Sequence, residues 1–189
     1  VIEEEKMNRV REICGEEPIF RLRPFRPMKA GIVTTGSEVY YGRIQDQFTP
    51  VVKGKLEEAG MEVLGNTLCN DNADMVTDAI REWIGKGAEV VVCTGGMSVD
   101  PDDRTPLAIR NASDQVITYG APVLPGAMFM LAYAGDIPVM GLPGCVMYSK
   151  RTIFDLVLPR IAAGERLAAE DFSVLGEGGL CLNCPTCTF

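Results

Sequence analysis

Residues 88–93 are apolar and mostly β-branched except for Glu89, and they are followed at once by Thr94-Gly95-Gly96. Such a run is typical of a strand buried on both faces, as in a parallel sheet. Downstream, Thr105 and Pro106 predict a helix start, with the threonine as N-cap and the proline at the first helical position. This order leaves backbone N–H groups free at the carboxyl edge of a sheet, where open α/β folds bind anionic ligands. The alternative is that the glycines only make a tight turn.

Three carboxylates, those of Asp100, Asp102 and Asp103, lie in the loop between the glycines and this helix. Like charges crowded in one loop repel each other unless something positive sits among them. The acids therefore favour a ligand-binding role for the glycine turn over a purely structural one.

Short apolar strands alternate with amphipathic helices along most of the chain. The helix after residue 44 carries an apolar stripe that includes Val52 and Leu56, and residues 70–72 are expected to cap the next helix. The alternation predicts an α/β fold, a three-layer sandwich with a largely parallel, doubly wound sheet. The predicted strands are residues 29–35, 62–64, 90–92, 115–118 and 137–144 (the last ending in a Pro-Gly turn), and the predicted last helix is residues 146–163.

Polar or glycine residues occupy three of the predicted strand-to-helix turns, at residues 35–38, 94–103 and 142–145. The carboxyl ends of parallel strands meet at one edge of a sheet, so the three turns are expected to form a single site. The residues predicted to contact the ligand are Thr35, Gly36, Ser37, Glu38, Thr94, Gly95, Gly96, Ser98, Pro143 and Gly144.

The composition excludes several classes of function. The net charge is −8 and histidine is absent, so the chain lacks the excess of basic residues that nucleic-acid binding needs. Acid–base chemistry would then depend on carboxylates, Lys, Tyr, Cys or metal-bound water. No apolar run is long enough for a membrane span and there is no signal peptide pattern, so a cytoplasmic protein without a membrane partner is expected. Cys69 and Cys93 fall in apolar runs and are expected to be reduced core residues.

The two ends of the chain differ from its middle. Residues 1–28 are interpreted as a linker from a preceding region, residues 29–165 as the α/β domain and residues 166–189 as a tail. The absence of an initiator Met predicts that the chain is a piece of a longer protein.

The tail ends in a cysteine run. Cys181, Cys184 and Cys187 have the C-x-x-C spacing of an iron–sulfur or zinc site, with a further ligand supplied from elsewhere. The alternative is a redox-labile tail without metal.

Five short motifs, taken together and in order, resemble one known family. They are Thr35-Gly36-Ser37-Glu38, Ile44-Gln45-Asp46, Thr94-Gly95-Gly96-Met97-Ser98-Val99, Asp103-Arg104-Thr105-Pro106 and Gly141-Leu142-Pro143-Gly144. They resemble the molybdopterin-binding domain of molybdenum-cofactor biosynthesis proteins, a family that includes molybdopterin adenylyltransferases and molybdate-inserting molybdotransferases. The resemblance covers residues 29–163 and implies the α/β sandwich predicted above.

The resemblance also implies roles for single residues. Gly95, Gly96 and Ser98 stand where the family's glycine loop binds the terminal phosphate of the pterin, and Gly36 and Ser37 line the same pocket. The implied partners are molybdopterin or its adenylylated form and molybdate, and a homo-oligomer is expected.

Two acids match family residues implicated in catalysis or in placing Mg²⁺, namely Asp46 and Asp103, and Glu38 matches the acid after the first strand. Mg²⁺ held by one or two carboxylates and phosphate oxygens is a normal arrangement. Adenylyl transfer from ATP would use the ion to offset phosphate charge, whereas molybdate insertion would bring an oxyanion to a dithiolene. Structural alternatives stay open, because Asp46 could cap its helix and Glu38 could be solvated.

The sequence departs from the family at two places. The molybdotransferases usually carry a Lys-Pro-Gly-Lys type of stretch where this chain has Leu124-Pro125-Gly126-Ala127, and commonly Asn-Pro where it has Cys145-Val146. Three functions therefore remain: an enzyme that activates the pterin or inserts molybdate, a carrier or sensor of the cofactor, and a same-fold domain with another phosphorylated ligand, such as the one attached to pyridine-nucleotide amidohydrolases.

Overall fold

The computed structural model describes residues 1–15 and 20–177. Its helices are α1 (Glu4–Cys14), α2 (Ser37–Tyr40), α3 (Phe48–Glu58), α4 (Ala73–Gly85), α5 (Thr105–Ala112), α6 (Ile153–Ala162) and α7 (Ala169–Ser173), with 3₁₀ turns at Gly144–Met147 and Val174–Glu177. Its strands are β1 (Lys29–Thr35), β2 (Glu62–Cys69), β3 (Val90–Thr94), β4 (Gln115–Tyr119), β5 (Met130–Ala134) and β6 (Ile137–Leu142).

The six strands form one sheet in the order β2-β1-β3-β6-β5-β4. The strands β2, β1, β3 and β6 run parallel, and β5 and β4 complete the sheet as antiparallel neighbours. The sheet is therefore largely parallel, as predicted. Its parallel part is fully buried at β3, whose five residues are all inaccessible to solvent.

Helices cover both faces of the sheet and make the three layers that the sequence predicts. On one face, Ile32 and Val92 pack in a core cluster with residues of α3 and α6. On the other face, Val33 and Val91 pack with residues of α4 and α5. Because successive side chains of a strand point to opposite faces, one apolar run supplies both cores.

Three elements differ from their predictions. The strand β2 continues to Cys69, well past the predicted end, because a half-buried edge strand keeps few of the apolar residues that mark a strand in sequence. The strand β5 was not predicted, since the prolines and glycine before it interrupt the apolar run, yet its first four residues are buried.

The last helix begins later than predicted. A 3₁₀ turn at Gly144–Met147 ends well before α6, and Thr152 starts α6 with a capping box. The hydroxyl of Thr152 accepts the Phe154 N–H at 3.2 Å, and the Asp155 carboxylate accepts the Thr152 N–H at 2.7 Å. The threonine with an acid three residues later was the available signal for this helix start.

Outside the predicted domain, the described residues make several contacts with the sheet layers. The Arg26 N–H donates to the Ala162 carbonyl at 2.8 Å, and Leu167 and Phe172 are buried. The helix α1 has no buried residue. Among residues 1–15 and 20–177, no helix has the length and apolar character needed to span a membrane.

Candidate functional site

The parallel strands end together at one edge of the sheet. In register, Thr94 of β3 pairs with Thr34 of β1 and with Leu142 of β6, and Thr35 pairs with Cys69 of β2. The three predicted turns therefore leave the sheet at the same edge, the carboxyl rim. Ligands of open parallel sheets bind at such an edge.

Two of these turns touch each other. Gly95 has a φ of +80°, and a Cβ placed on it would lie 2.1 Å from the carbonyl oxygen of Thr35. Gly96 has a φ of +54°, and its Cβ would lie 2.8 Å from Oγ1 of Thr105. The glycine bend after β3 is thus wedged against the last residue of β1, directly before Gly36.

Buried threonines form the floor under this contact. The Thr35 hydroxyl donates to the Thr94 carbonyl at 3.2 Å and lies 3.0 Å from the Thr105 hydroxyl. On the opposite face of the sheet, the Thr34 hydroxyl lies 3.0 Å from that of Thr49 and accepts from Thr94 at 3.4 Å. These bonds tie β1, β3, α3 and α5 together below the rim. The expected N-cap, Thr105, is instead the first residue of α5, and its side chain makes no capping bond.

The turn after β1 is held by β2 and by the loop that follows β2. The Gly36 N–H donates to the Cys69 carbonyl at 3.0 Å. The Ser37 N–H and hydroxyl both donate to the Asp71 carboxylate, at 3.0 and 2.6 Å. The sequence predicts Asp71 only as part of a helix cap. Its position just after a strand that ends at the same rim was the signal for a place in the site.

The acid loop after the glycine bend is organised by its own hydrogen bonds. One oxygen of Asp103, Oδ2, accepts the N–H of Ser98 at 2.5 Å and its hydroxyl at 2.8 Å. Asp100 Oδ1 accepts the Asp102 N–H at 3.0 Å. These hydrogen bonds offset part of the repulsion among the carboxylates. From the sequence, only a positively charged group was expected to do so.

Asp46 and Glu38 take other positions. The Asp46 carboxylate accepts the N–H groups of Phe48 and Thr49 at 2.9 and 3.1 Å, and the Thr49 hydroxyl as well. It therefore caps α3, the structural alternative for this residue, on the opposite face from Asp103. The Glu38 side chain is exposed, and its main-chain carbonyl accepts the Arg43 N–H at 2.8 Å.

The third turn, after β6, carries Pro143, Gly144 and a half-buried thiol, Cys145, whose pKa is raised by burial. Lys55 of α3 fixes the end of this loop. It donates to the Lys150 carbonyl at 3.0 Å and pairs with Asp155. The Lys55 side chain therefore holds this loop in place at the rim.

A cleft of about 450 Å³ opens beside the acid loop, on the face of the sheet covered by α5. Ser98 and Asp103 lie on its wall, so it continues directly from the glycine bend. The opposite walls come from α5, β4 and the segment that leads into β5. The cleft is not evident from the sequence because its walls come from segments that are distant along the chain.

Within the described ranges, no three Cys, Asp or Glu side chains are grouped closely enough to hold a metal ion. The predicted cluster ligands Cys181, Cys184 and Cys187 lie outside the described residues.

Comparison with solved structures supports the fold. A molybdopterin biosynthesis enzyme, MoaB from Thermus thermophilus, matches with a TM-score of 0.61 and 22% identity over 73% of this chain and 98% of that one. The protein CinA from Thermoplasma acidophilum matches with a TM-score of 0.54 and 17% identity over 62% of this chain and 89% of that one. At these identities the likeness shows the fold alone.

Curated relatives match a shorter part of the chain. A CinA-like protein of Mycolicibacterium vanbaalenii is 39% identical over 77 residues, and one of Mycobacterium tuberculosis is 36% identical over the same length. The match covers 41% of this chain but only 18% of each relative. The chain therefore corresponds to a small part of those proteins.

A family model described as a probable molybdopterin binding domain matches residues 31–163. This range contains the described sheet, apart from the first two residues of β1, and both of its helical layers. The chain therefore belongs to the molybdopterin-binding domain family of molybdenum-cofactor biosynthesis proteins.

Proposed function

We propose that this domain binds molybdopterin at the carboxyl rim and acts on it during cofactor synthesis, by activating the pterin or by inserting molybdate. The observation that carries the proposal is the contact between the two glycine turns, in which Gly95 is wedged against Thr35. It brings the backbone of two turns to one place at the end of a parallel sheet. A phosphate there would be bound by peptide N–H groups. Such backbone donors do not require a basic patch, which a chain with a net charge of −8 is not expected to have.

Helix α5 adds to the attraction for a phosphate. Its first residue, Thr105, lies under Gly96, so the positive end of the helix dipole faces the glycine bend. The neighbouring Ser98 keeps the loop in place, because its N–H and its hydroxyl both donate to the Asp103 carboxylate. The donors for the anion are therefore the peptide N–H groups of the bend, which bind it without rearrangement of the loop.

Asp103 fits a Mg²⁺ site of the kind that needs only one protein ligand. Its Oδ2 is occupied by Ser98, whereas Oδ1 accepts no hydrogen bond from the described residues. Mg²⁺ is commonly held by one or two carboxylates together with phosphate oxygens, so the donor set is compatible with the ion. The Asp103 carboxylate would hold Mg²⁺ there, and the ion would offset the charge of the bound phosphate.

A second candidate is a binding module for the cofactor or for another phosphorylated ligand. Residues 124–127 lack the two lysines of the molybdotransferases, and this segment packs on α6, with the Pro125 carbonyl accepting the Ile153 N–H at 3.2 Å. The two curated relatives described above are CinA-like proteins, which also favours this candidate.

The test is calorimetry of the purified protein with molybdopterin, with and without Mg²⁺ and ATP, together with assays of adenylyl transfer and molybdate insertion. An enzyme with Asp103→Asn is expected to keep molybdopterin binding and lose turnover. The matched control is Asp102→Asn, a neighbouring acid whose carboxylate holds no bond to Ser98, and it should change neither.

The outcomes separate the candidates. Turnover that is lost in Asp103→Asn but kept in Asp102→Asn supports the enzyme. Molybdopterin binding without turnover under any of these conditions supports the binding module. A wild-type protein that does not bind molybdopterin at millimolar concentration overturns the enzyme and the cofactor-binding module, and leaves only a module for another phosphorylated ligand. The homo-oligomer, the cytoplasmic location and a metal at the terminal cysteines stay predictions.

A further inference from the structure

We infer that a second cavity, at the amino edge of the sheet, is a binding site for a small organic carboxylate, a monoanion carried on an apolar body. The cavity has a volume of about 300 Å³ and is formed by the segment before β1, the hairpin of β5 and β6, and the end of α6. Because β1 and β6 run parallel and both begin at this edge, the cavity lies at the opposite end of the sheet from the carboxyl rim. The inference therefore does not depend on the proposed function.

Arg26 supplies an unpaired positive charge to the cavity. Its backbone N–H donates to the Ala162 carbonyl at 2.8 Å, and its guanidinium lies over Gly164, where a Cβ would be 2.2 Å from Cζ of the arginine. Gly164 has a φ of +77°, so glycine provides both the backbone conformation and the space for this guanidinium. Within residues 1–15 and 20–177, the guanidinium has neither an ion pair nor a hydrogen-bond acceptor.

Arg166 supplies a second guanidinium, whose plane is fixed by an aromatic ring. Its Cζ lies 4.2 Å from the centre of the buried Tyr133 ring. Its Nη1 donates to the Gly135 carbonyl at 3.3 Å and to the Asp136 carboxylate at 3.1 Å, whereas Nε and Nη2 have no acceptor in the described ranges. The Asp136 side chain is fully exposed, and a surface ion pair of this kind is weak. Arg166 therefore keeps donors that a ligand can use.

The charges around the cavity fit an anion of single charge. Four arginines line the cavity or pair with the carboxylates that do, and three carboxylates pair with three of these arginines. Glu165 binds Arg23 at 3.3 Å and Arg160 at 2.6 Å, and Arg160 also binds Asp171 at 2.6 Å. The charge that remains is that of Arg26. A carboxylate carries one negative charge, whereas a phosphate monoester carries about 1.5–2 at pH 7, so the cavity favours the carboxylate.

The rest of the wall is apolar. Pro138 and Ile161 are buried, and Met28 is half-buried. Covering the thioether of Met28 with an apolar group would remove apolar surface from water. A volume of about 300 Å³ is at the small end of the range for ligand pockets. The expected ligand is therefore a carboxylate on one short alkyl chain or on one ring.

Such a carboxylate matches both parts of the site. Its two oxygens accept paired N–H groups from a planar guanidinium, and Arg26 and Arg166 each offer such donors. Its apolar body would then pack against Met28 and Ile161. An uncharged molecule of the same shape loses the charge-assisted hydrogen bonds, and a carboxylate without the apolar body loses the packing.

The experiment is an NMR titration of the ¹⁵N-labelled chain, with the backbone amide signals of Gly164 and Arg166 as local reporters. The probes are phenylacetate, phenylacetamide, acetate and phenyl phosphate. Phenylacetate is expected to bind with a Kd of about 1 mM or below, and the other three at least about tenfold more weakly.

The test variant is Arg26→Gln, which breaks no ion pair within the described residues and should leave thermal unfolding unchanged. It is expected to weaken phenylacetate binding about tenfold, because it removes the unpaired charge. The matched control is Arg9→Gln, an exposed arginine of α1 outside the cavity, and it should leave phenylacetate binding unchanged. Molybdopterin binding should be the same in both variants as in the wild type, since the carboxyl rim is at the other end of the sheet.

Each result decides a different point. Saturable phenylacetate binding that Arg26→Gln weakens by more than about threefold, and Arg9→Gln does not, supports the site. A smaller effect of Arg26→Gln, or no saturable shift of the reporter signals up to about 10 mM phenylacetate, overturns it. Phenyl phosphate that binds more tightly than phenylacetate contradicts the choice of a carboxylate. Equally tight binding of phenylacetamide rules out the charged group as the determinant, and equally tight binding of acetate rules out the apolar body. None of these results bears on molybdopterin binding, which the wild-type titration with molybdopterin tests separately.

Discussion

The two glycine turns of the carboxyl rim look alike in sequence and differ in packing. Gly36, after β1, has a φ of +142°, and no atom lies within 4 Å of the place where its Cβ would be. Gly95, after β3, has a φ of +80°, and its Cβ would collide with the Thr35 carbonyl at 2.1 Å. The first turn needs glycine for backbone conformation only, whereas the second needs it for space as well.

Because of this difference, the two turns are expected to have different roles in ligand binding. The bend after β3 is fixed by contacts with buried groups, Thr35 among them, and cannot shift without moving the sheet. The turn after β1 is held mainly by one backbone bond to Cys69 and by the exposed pair of Ser37 and Asp71. Segments with exposed hydrogen bonds and little packing are those that open most easily. We therefore expect the first turn to adapt to a ligand that the second turn positions.

The largest effect is expected from Gly95→Ala. Left-handed strain of about 1–2 kcal/mol and overpacking of about 1–3 kcal/mol should together lower the free energy of unfolding by about 3 kcal/mol or more. The measurement is denaturant unfolding. The control is Gly135→Ala, a glycine with a φ of +58° and no atom within 4 Å of its Cβ, which carries the strain alone. Equal losses in the two variants would show that the bend is not wedged.

Gly36→Ala should cost less. Its backbone region is unfavourable for alanine by about 1–3 kcal/mol, but the methyl group has room. Ligand binding should fall along with stability, because the strain is relieved by moving this turn. The control for stability is Gly144→Ala, which has open space at the third turn and no positive φ and should leave the free energy of unfolding almost unchanged. A loss larger than that of Gly95→Ala would reverse the comparison.

The next prediction compares the buried hydroxyl of Thr35 with the exposed hydrogen-bonded pair of Ser37 and Asp71. Thr35→Val keeps the shape but removes the hydroxyl between Thr94 and Thr105, and should destabilise by about 1–2 kcal/mol. Ser37→Ala removes an exposed bond to Asp71 and should cost about 0.5 kcal/mol or less. Unfolding of both variants under one condition checks the order. Similar costs would mean that burial does not distinguish the turns.

The smallest effect concerns the thiols under the two turns. Burial raises the pKa of Cys69, whose carbonyl binds Gly36, to about 11, and burial also raises the pKa of Cys93, which precedes the other turn. A raised pKa keeps a thiol protonated and therefore unreactive at pH 8.5. Alkylation followed by peptide mass spectrometry should label exposed Cys14 first, then Cys69 as its turn opens, and Cys93 last. Labelling of Cys93 before Cys69 would contradict the greater mobility of the first turn.

Several features were accessible from sequence because they depend on neighbours along the chain. The β-branched run of β3, the apolar stripes of the helices and the glycine turns each follow from local periodicity or from backbone conformation. Residues 70–72 predicted the cap of α4, and the Asn72 side chain accepts the Asp74 and Met75 N–H groups. The five motifs were also enough to indicate the family, because they occur together and in the family's order along the chain.

Local pattern failed where an element is defined by its partners. The strand β5 is a strand because it pairs antiparallel with β6 and β4, and its apolar run follows interrupting prolines. The sequence allows Asp46 to be a catalytic acid or a cap. Only the distances to the Phe48 and Thr49 N–H groups show that its carboxylate caps α3, and its catalytic role stays a prediction.

By itself the sequence determined that this chain alternates strands and helices and ends three of its strands in turns suited to a ligand. Those properties depend on residues that are only a few positions apart in the chain. The tertiary structure alone decided that the bend at Gly95 rests on Thr35 and that a cleft opens between the acid loop, α5 and β4. Both depend on strand register and helix packing between segments far apart in the chain, which are set by the collective burial of the core and by no single motif.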